Sequence, residues 1–159
     1  IREAREAGAR IRLITDGDVV PSIDCGIQGS GIHMVLGSGG APEGVLAAVG
    51  LTRLGGDMPA KLLPHTEEEV RRLHAMGITD PNKVLTLDDL VKGDDCIFSE
   101  TAITDCAMLK GVRYFGGGAR TSTLVLRYKT GTVRFVDTIH RFGEPDKKPA
   151  VRLWQYGSV

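Results

Sequence analysis

Apolar residues fall along this chain in alternating strand-like and helix-like stretches. Residues 1–7 read as the end of a helix that stops near Gly8, and Arg10–Thr15 (RIRLIT) is a β-like apolar run. Asp16-Gly17-Asp18 interrupts that run, and Asp18 can cap a short helix over residues 19–27. Ile32–Leu36 (IHMVL) has the apolar density of a second buried strand, followed by the loop GSGG. Pro42 suits the first turn of a helix that continues through EGVLAAVGLTRL and stops at Gly55-Gly56. Residues 58–63 can form another strand. Thr66 and Glu69 make a capping box for a helix that ends at Gly77.

The second half changes rhythm. A short helix around Leu87–Val91 leads to a strand over Cys96–Glu100, while residues 101–109 show no clear period. Val112–Phe115 reads as a strand. TLVLRY, Lys129-Thr130-Gly131 and TVRFVDTI then predict a β-hairpin with a tight glycine turn. This order points to an α/β (α+β) fold, a mixed sheet with flanking helices, and the hairpin means that the sheet is not purely parallel. One domain is expected over residues 1–143, with 144–159 as a polar, proline-bearing tail.

Composition narrows the function classes. Lys+Arg and Asp+Glu both number 20, so no basic footprint points to nucleic acid or an anionic membrane. Aromatic residues make up 5%, too few for a base-stacking platform. No apolar run approaches the ~18 residues of a membrane-spanning helix. The amino terminus is charged and lacks the apolar stretch of a signal peptide. The chain also begins without Met, so it is expected to be a fragment. Cys25, Cys96 and Cys106 form no C-x-x-C pair and fit reduced thiols in a cytoplasmic protein. The histidines are scattered with no zinc spacing.

Two segments could carry chemistry. In Asp16-Gly17-Asp18 the glycine lets the chain turn tightly, so two carboxylates can reach sugar hydroxyls or a metal at the end of a strand. The same triplet also suits a plain turn with an N-cap aspartate. In Gly37-Ser38-Gly39-Gly40-Ala41-Pro42-Glu43-Gly44, backbone amides beside a helix start favour a phosphate. No Gly-Lys-[Ser/Thr] follows, which excludes a Walker A loop, and Pro42 stands where a dinucleotide fingerprint needs glycine. Glu43 can serve the helix dipole or ligate a divalent metal.

TDGDV (15–19), the run from Ile32 through GSGGAPEGVLAA to Ala48, GITDPNKV (77–84), GVRYFGGGARTSTLVL (111–126) and RFVDTIHRF (134–142) together resemble class II (GlpX-type) fructose-1,6-bisphosphatases. The similarity runs in order from about residue 9 to 142 and matches the carboxyl-terminal half of that family. The resemblance implies a layered sugar-phosphatase fold of the inositol-monophosphatase type. It implies that Asp16, Gly17 and Asp18 contact the sugar bisphosphate, that Gly40 touches it through its backbone, and that Glu43 binds Mn²⁺ or Mg²⁺. The implied reaction is hydrolysis of the 1-phosphate of fructose 1,6-bisphosphate, and some members also accept sedoheptulose 1,7-bisphosphate. Family members are roughly twice this length, and their amino-terminal half carries the other metal carboxylates and the residue that positions the attacking water. That half is expected as a partner, without it the chain is expected to be inactive, and a homo-oligomer is expected. Asp57–His65 is shorter than the family pattern, as though a loop were trimmed. Arg120 near Gly116-Gly117-Gly118 could meet a phosphate or pair at the surface, and Asp137 and His140, on a predicted strand, read as structural or solvated.

Overall fold

A computed structural model describes residues 1–15 and 17–143; Asp16 and the 144–159 tail lie outside the described residues. The described residues divide into two compact units, residues 1–98 with 126–131 and residues 99–125 with 132–143.

The first unit holds α1 (Arg2–Glu6), α2 (Val19–Gly26), α3 (Ala41–Leu54), α4 (Glu67–Ala75) and α5 (Leu87–Leu90). Its two-stranded sheet pairs β1 (Ala60–Lys61) with β2 (Val84–Leu85) in antiparallel register. α2 packs on α3 because small residues stand at the crossing. A Cβ at Gly50 would overlap Ile23, and one at Gly26 would fall 2.6 Å from Leu54 Cβ. Ile23, Ala47, Ala48 and Leu51 are buried there. Complete burial of a side chain such as Ile23 contributes about 1.5–3 kcal/mol. α3 stops at Gly55, whose φ of 73° is a left-handed C-cap. Two residues earlier, Arg53 donates to the Tyr128 carbonyl at 3.0 Å and stacks over the Tyr128 ring at 5.6 Å. α4 starts at the expected capping box, where Glu69 N donates to Thr66 Oγ1 and Thr66 N to Glu69 Oε2. α5 opens on a second such box made by Thr86 and Asp89.

Two expected strands are absent. Residues 10–15 and 32–36 form no strand, and Leu13 (65%), Ile14 (46%), Met34 (68%) and Leu36 (76%) are largely exposed. A strand is held by hydrogen bonds to a neighbouring edge, and among the described residues none is paired with these segments. The strand expected over 58–63 shrinks to Ala60–Lys61.

The second unit is built on a four-stranded sheet. β5 (Gly118–Arg127) pairs with β3 (Ile97–Thr101), β4 (Arg113–Phe115) and β6 (Thr132–Arg141). The ends of β3 and β5, at residues 97–98 and 126–127, are counted with the first unit. β4 and β5 are antiparallel, with Arg113 opposite Arg120 and Phe115 opposite Gly118. Gly117, at φ 81°, makes the turn between them. The predicted hairpin is present and longer than the sequence pattern showed, turning at Gly131 (φ 64°). Side chains cross-link its strands, with Arg120 paired to Asp137 at 2.8 Å and Thr121 Oγ1 meeting His140 Nε2 at 3.0 Å, and Thr101 on β3 meets Thr123 on β5 at 2.8 Å. Asp137 and His140 are thus paired across the hairpin, and Asp137 is also solvated. Residues 102–109 form an irregular loop, tied where Cys106 N donates to the Leu109 carbonyl. Ala102, Leu109, Ala119 and Leu124 supply the buried apolar side chains. The first unit is mostly helical with a two-stranded antiparallel sheet and the second is built on strands, so the chain is mixed α and β, as the order of its elements indicates. Among the described residues no helix is long and apolar enough to cross a membrane.

Candidate functional site

Gly17 has φ 74°, a left-handed backbone that strains any residue with a Cβ, so the turn between the two aspartates requires glycine. Asp18 stands at the N-cap position of α2 but does not cap it through its side chain. This corrects the capping reading. Its backbone is already helical (φ −78°, ψ −19°), whereas a capping side chain works from the extended region. Its carbonyl accepts from Ser22 N at 3.2 Å and Ser22 Oγ at 2.7 Å. The carboxylate is thereby left for another task, and it lies against the second loop. A Cβ at Gly39 would overlap Asp18 Oδ2.

The second loop runs into α3, whose first turn holds Pro42 and Glu43. Gly40 has φ −67° and ψ 145°, ordinary extended backbone open to any residue. Glycine is needed there for room: a Cβ would overlap Glu43 Oε2. Glu43 thus curls back over the start of its own helix while remaining exposed. No side chain caps the 14-residue α3, so the positive end of its dipole and its first free N–H groups stay available to an anion.

Two carboxylates therefore rest on two consecutive glycines, Asp18 on Gly39 and Glu43 on Gly40. The structure brings together Gly17, Asp18, Gly40 and Glu43 from the expected set, while Asp16 lies outside the described residues. Gly39 was visible in the sequence only as part of GSGG. Its role as the seat of Asp18 depends on α2 packing against α3, which no local pattern announces.

Oxygen donors of this kind suit Mg²⁺ or Mn²⁺. Among the described residues no group of three or more His, Cys, Asp or Glu side chains could hold a metal ion alone. That is compatible with a hard cation of this class, which commonly takes one or two carboxylates and completes its shell with substrate phosphate and water. Asp24, also on α2, is a different kind of acid. It is 3% exposed, its Oδ1 has no hydrogen-bond partner, and burial raises its pKa while the Arg12 guanidinium partly offsets that rise. The neighbouring Cys25 thiol is pushed up by burial and then by Asp24.

Fold and loops define the class: an α+β protein with an anion-receptive helix start flanked by carboxylates. A family model described as bacterial fructose-1,6-bisphosphatase, glpX-encoded, matches residues 1–140. This chain belongs to that class II, GlpX-type family. It is 43% identical, over 96% of its own length and 47% of the relative's, to the D-fructose 1,6-bisphosphatase class 2/sedoheptulose 1,7-bisphosphatase 2 of Acaryochloris marina. A Synechococcus protein (strain JA-3-3Ab) named D-fructose 1,6-bisphosphatase class 2/sedoheptulose 1,7-bisphosphatase is 47% identical over 88% of this chain and 44% of its own. The chain thus spans about half the length of the curated relatives it matches.

Proposed function

We propose that the complete protein hydrolyses the 1-phosphate of fructose 1,6-bisphosphate, giving fructose 6-phosphate and inorganic phosphate. The observation that carries this reading is the seating of the Asp18 and Glu43 carboxylates on adjacent glycines at the uncapped start of α3. Water attacks phosphorus, the bond from phosphorus to the C1 oxygen breaks, and that oxygen leaves with a proton. Bound Mn²⁺ or Mg²⁺ supplies a Lewis acid for the phosphoryl oxygens and lowers the pKa of the attacking water.

This chain's own part is positioning. Glu43 holds the metal from its side, and the free amides at the start of α3, with the Gly40 backbone, receive the phosphate. Asp16 and Asp18 orient sugar hydroxyls, and Gly17 sets the turn that presents them. The remaining donors come from a partner segment equivalent to the other half of the relatives. The exposed apolar residues of 10–15 and 32–36 support that partner, since they are unpaired strand-prone edges. The same reading keeps a homo-oligomer, supported by exposed Phe135 and Ile139 on β6. It also keeps a cytoplasmic location, supported by three free cysteines.

Replacement Glu43→Gln in the complete protein tests the assignment. Turnover is expected to fall roughly 100-fold or more, the scale of losing one transition-state stabiliser, with unchanged thermal unfolding. Ordinary turnover at saturating Mn²⁺ overturns it. The 159 residues alone are expected to release no phosphate. Release by that fragment would show that its carboxylates suffice. A second reading, dual action on sedoheptulose 1,7-bisphosphate, is favoured by the names of both relatives. Paired kcat/KM measurements on the two bisphosphates decide it.

A further inference from the structure

In the second unit a cavity of about 240 Å³ is lined by Lys110, Gly111, Arg113, Arg120, Ser122 and Asp137, with Thr121 beside them. Nothing in the proposed hydrolysis uses these residues. Three cations meet one lining carboxylate, in a chain whose overall charge is balanced. Both arginines are fixed before any ligand arrives. Arg113 Nη2 donates to both Asp105 oxygens, at 2.8 and 2.6 Å, and Asp105 Oδ1 is itself held by Gly111 N at 2.8 Å. Those two donors keep the Asp105 carboxyl below its ordinary range, the Gly111 amide first and Arg113 next. Arg120 Nη2 donates to Asp137 Oδ2 at 2.8 Å.

These bonds use only the Nη2 group of each guanidinium, which carries five N–H donors in a planar fork suited to phosphate oxygens. The Lys110 ammonium makes no hydrogen bond or ion pair among the described residues. Ser122 offers a hydroxyl, and Thr121 Oγ1 is oriented by His140. With Asp105 and Asp137 set against the three cations, one positive charge remains. That suits an anion of low charge, held by several donors rather than by one strong pair. The cavity is larger than a bare phosphate and leaves room for a small organic group.

We propose that this cavity binds the phosphate group of a small phosphorylated metabolite, with Lys110 as the mobile cation and Arg113 and Arg120 as fixed donors. The test is an amide-labelled NMR titration of the full-length protein in metal-free buffer, with inorganic phosphate, glycerol 3-phosphate and sulfate in parallel. Saturable shifts are expected at Gly111, Thr121 and Ser122, with glycerol 3-phosphate bound more tightly than either inorganic ion. Lys110→Ala should weaken binding about tenfold, the scale of one charge-assisted hydrogen bond, while Lys61→Ala leaves it unchanged. No saturable shift at those amides, equal binding by Lys110→Ala, or exclusion of glycerol 3-phosphate would each overturn the proposal. The readout is local to these amides and uses no turnover, so its failure leaves the bisphosphatase reading standing.

Discussion

Helices α2 and α3 and the strand-prone segments that precede them draw on the same apolar residue types, yet only the helices bury theirs. Ile23, Ala47, Ala48 and Leu51 disappear into the α2–α3 contact, while Leu13, Ile14, Met34 and Leu36 stay exposed. A helix satisfies its own backbone and needs only a complementary face, which Gly26 and Gly50 provide here. A strand must also find a neighbour for its N–H and C=O groups. The two candidate loops sit where these two regimes meet. Asp18 follows the first strand-prone segment and opens α2, and Gly39 and Gly40 follow the second and open α3. The helix contact fixes one side of the proposed site.

Breaking the helix contact should have the largest effect. Ile23→Ala is expected to destabilise the chain by about 3 kcal/mol, because the fully buried site cannot collapse around the lost atoms. Met34→Ser, on the exposed side of the comparison, should shift the isolated chain by no more than about 0.5 kcal/mol. Denaturant unfolding of both variants checks the contrast, and equal losses would erase it.

Asp24 sharpens the comparison from inside α2. Its pKa is raised in the fold, so the native state holds the proton more tightly than the unfolded chain does. Stability should therefore fall as pH rises from its ordinary 3.8 through the folded value. Asp24→Asn should stabilise the chain by about 1 kcal/mol at neutral pH and by progressively less on acidification, measured as paired unfolding curves at pH 7 and 4. Destabilisation at neutral pH would mean that the charge is compensated.

The smallest effect belongs to half-buried Asp89. The Lys83 ion pair at 2.6 Å, followed by the Thr86 backbone amide, lowers its pKa to about 2. Here the sign reverses. The contribution is present above 3.8 and is lost as pH falls through about 2. The Asp89 carboxyl signal should titrate near that value in NMR, and Lys83→Ala should move it upward.

What the sequence made legible follows the same divide. The Thr66–Glu69 capping box, Pro42 in the first turn of α3, Gly55 after that helix and the Gly131 hairpin turn each act within a few residues, and each was readable. β2 is two residues long and carries no pattern, and β5 begins at Gly118, a residue that reads as turn. Residues 10–15 and 32–36 have strand composition, but composition does not supply a partner edge. At the site, residue types and spacing pointed to the acid-glycine-acid turn and to Glu43. The seat of Asp18 on Gly39 was not visible, because the N-cap role that local sequence suggests fails on a backbone angle set by packing.

A double-mutant cycle on Asp18→Asn and Glu43→Gln tests most directly whether the two loops serve one ligand. The readout is the Mn²⁺-dependent affinity of the complete protein for fructose 1,6-bisphosphate. Residues sharing a bound sugar phosphate and ion should be coupled by about 0.5–3 kcal/mol, so that the double variant departs from the sum of the singles. Additivity within about 0.3 kcal/mol would contradict a shared site.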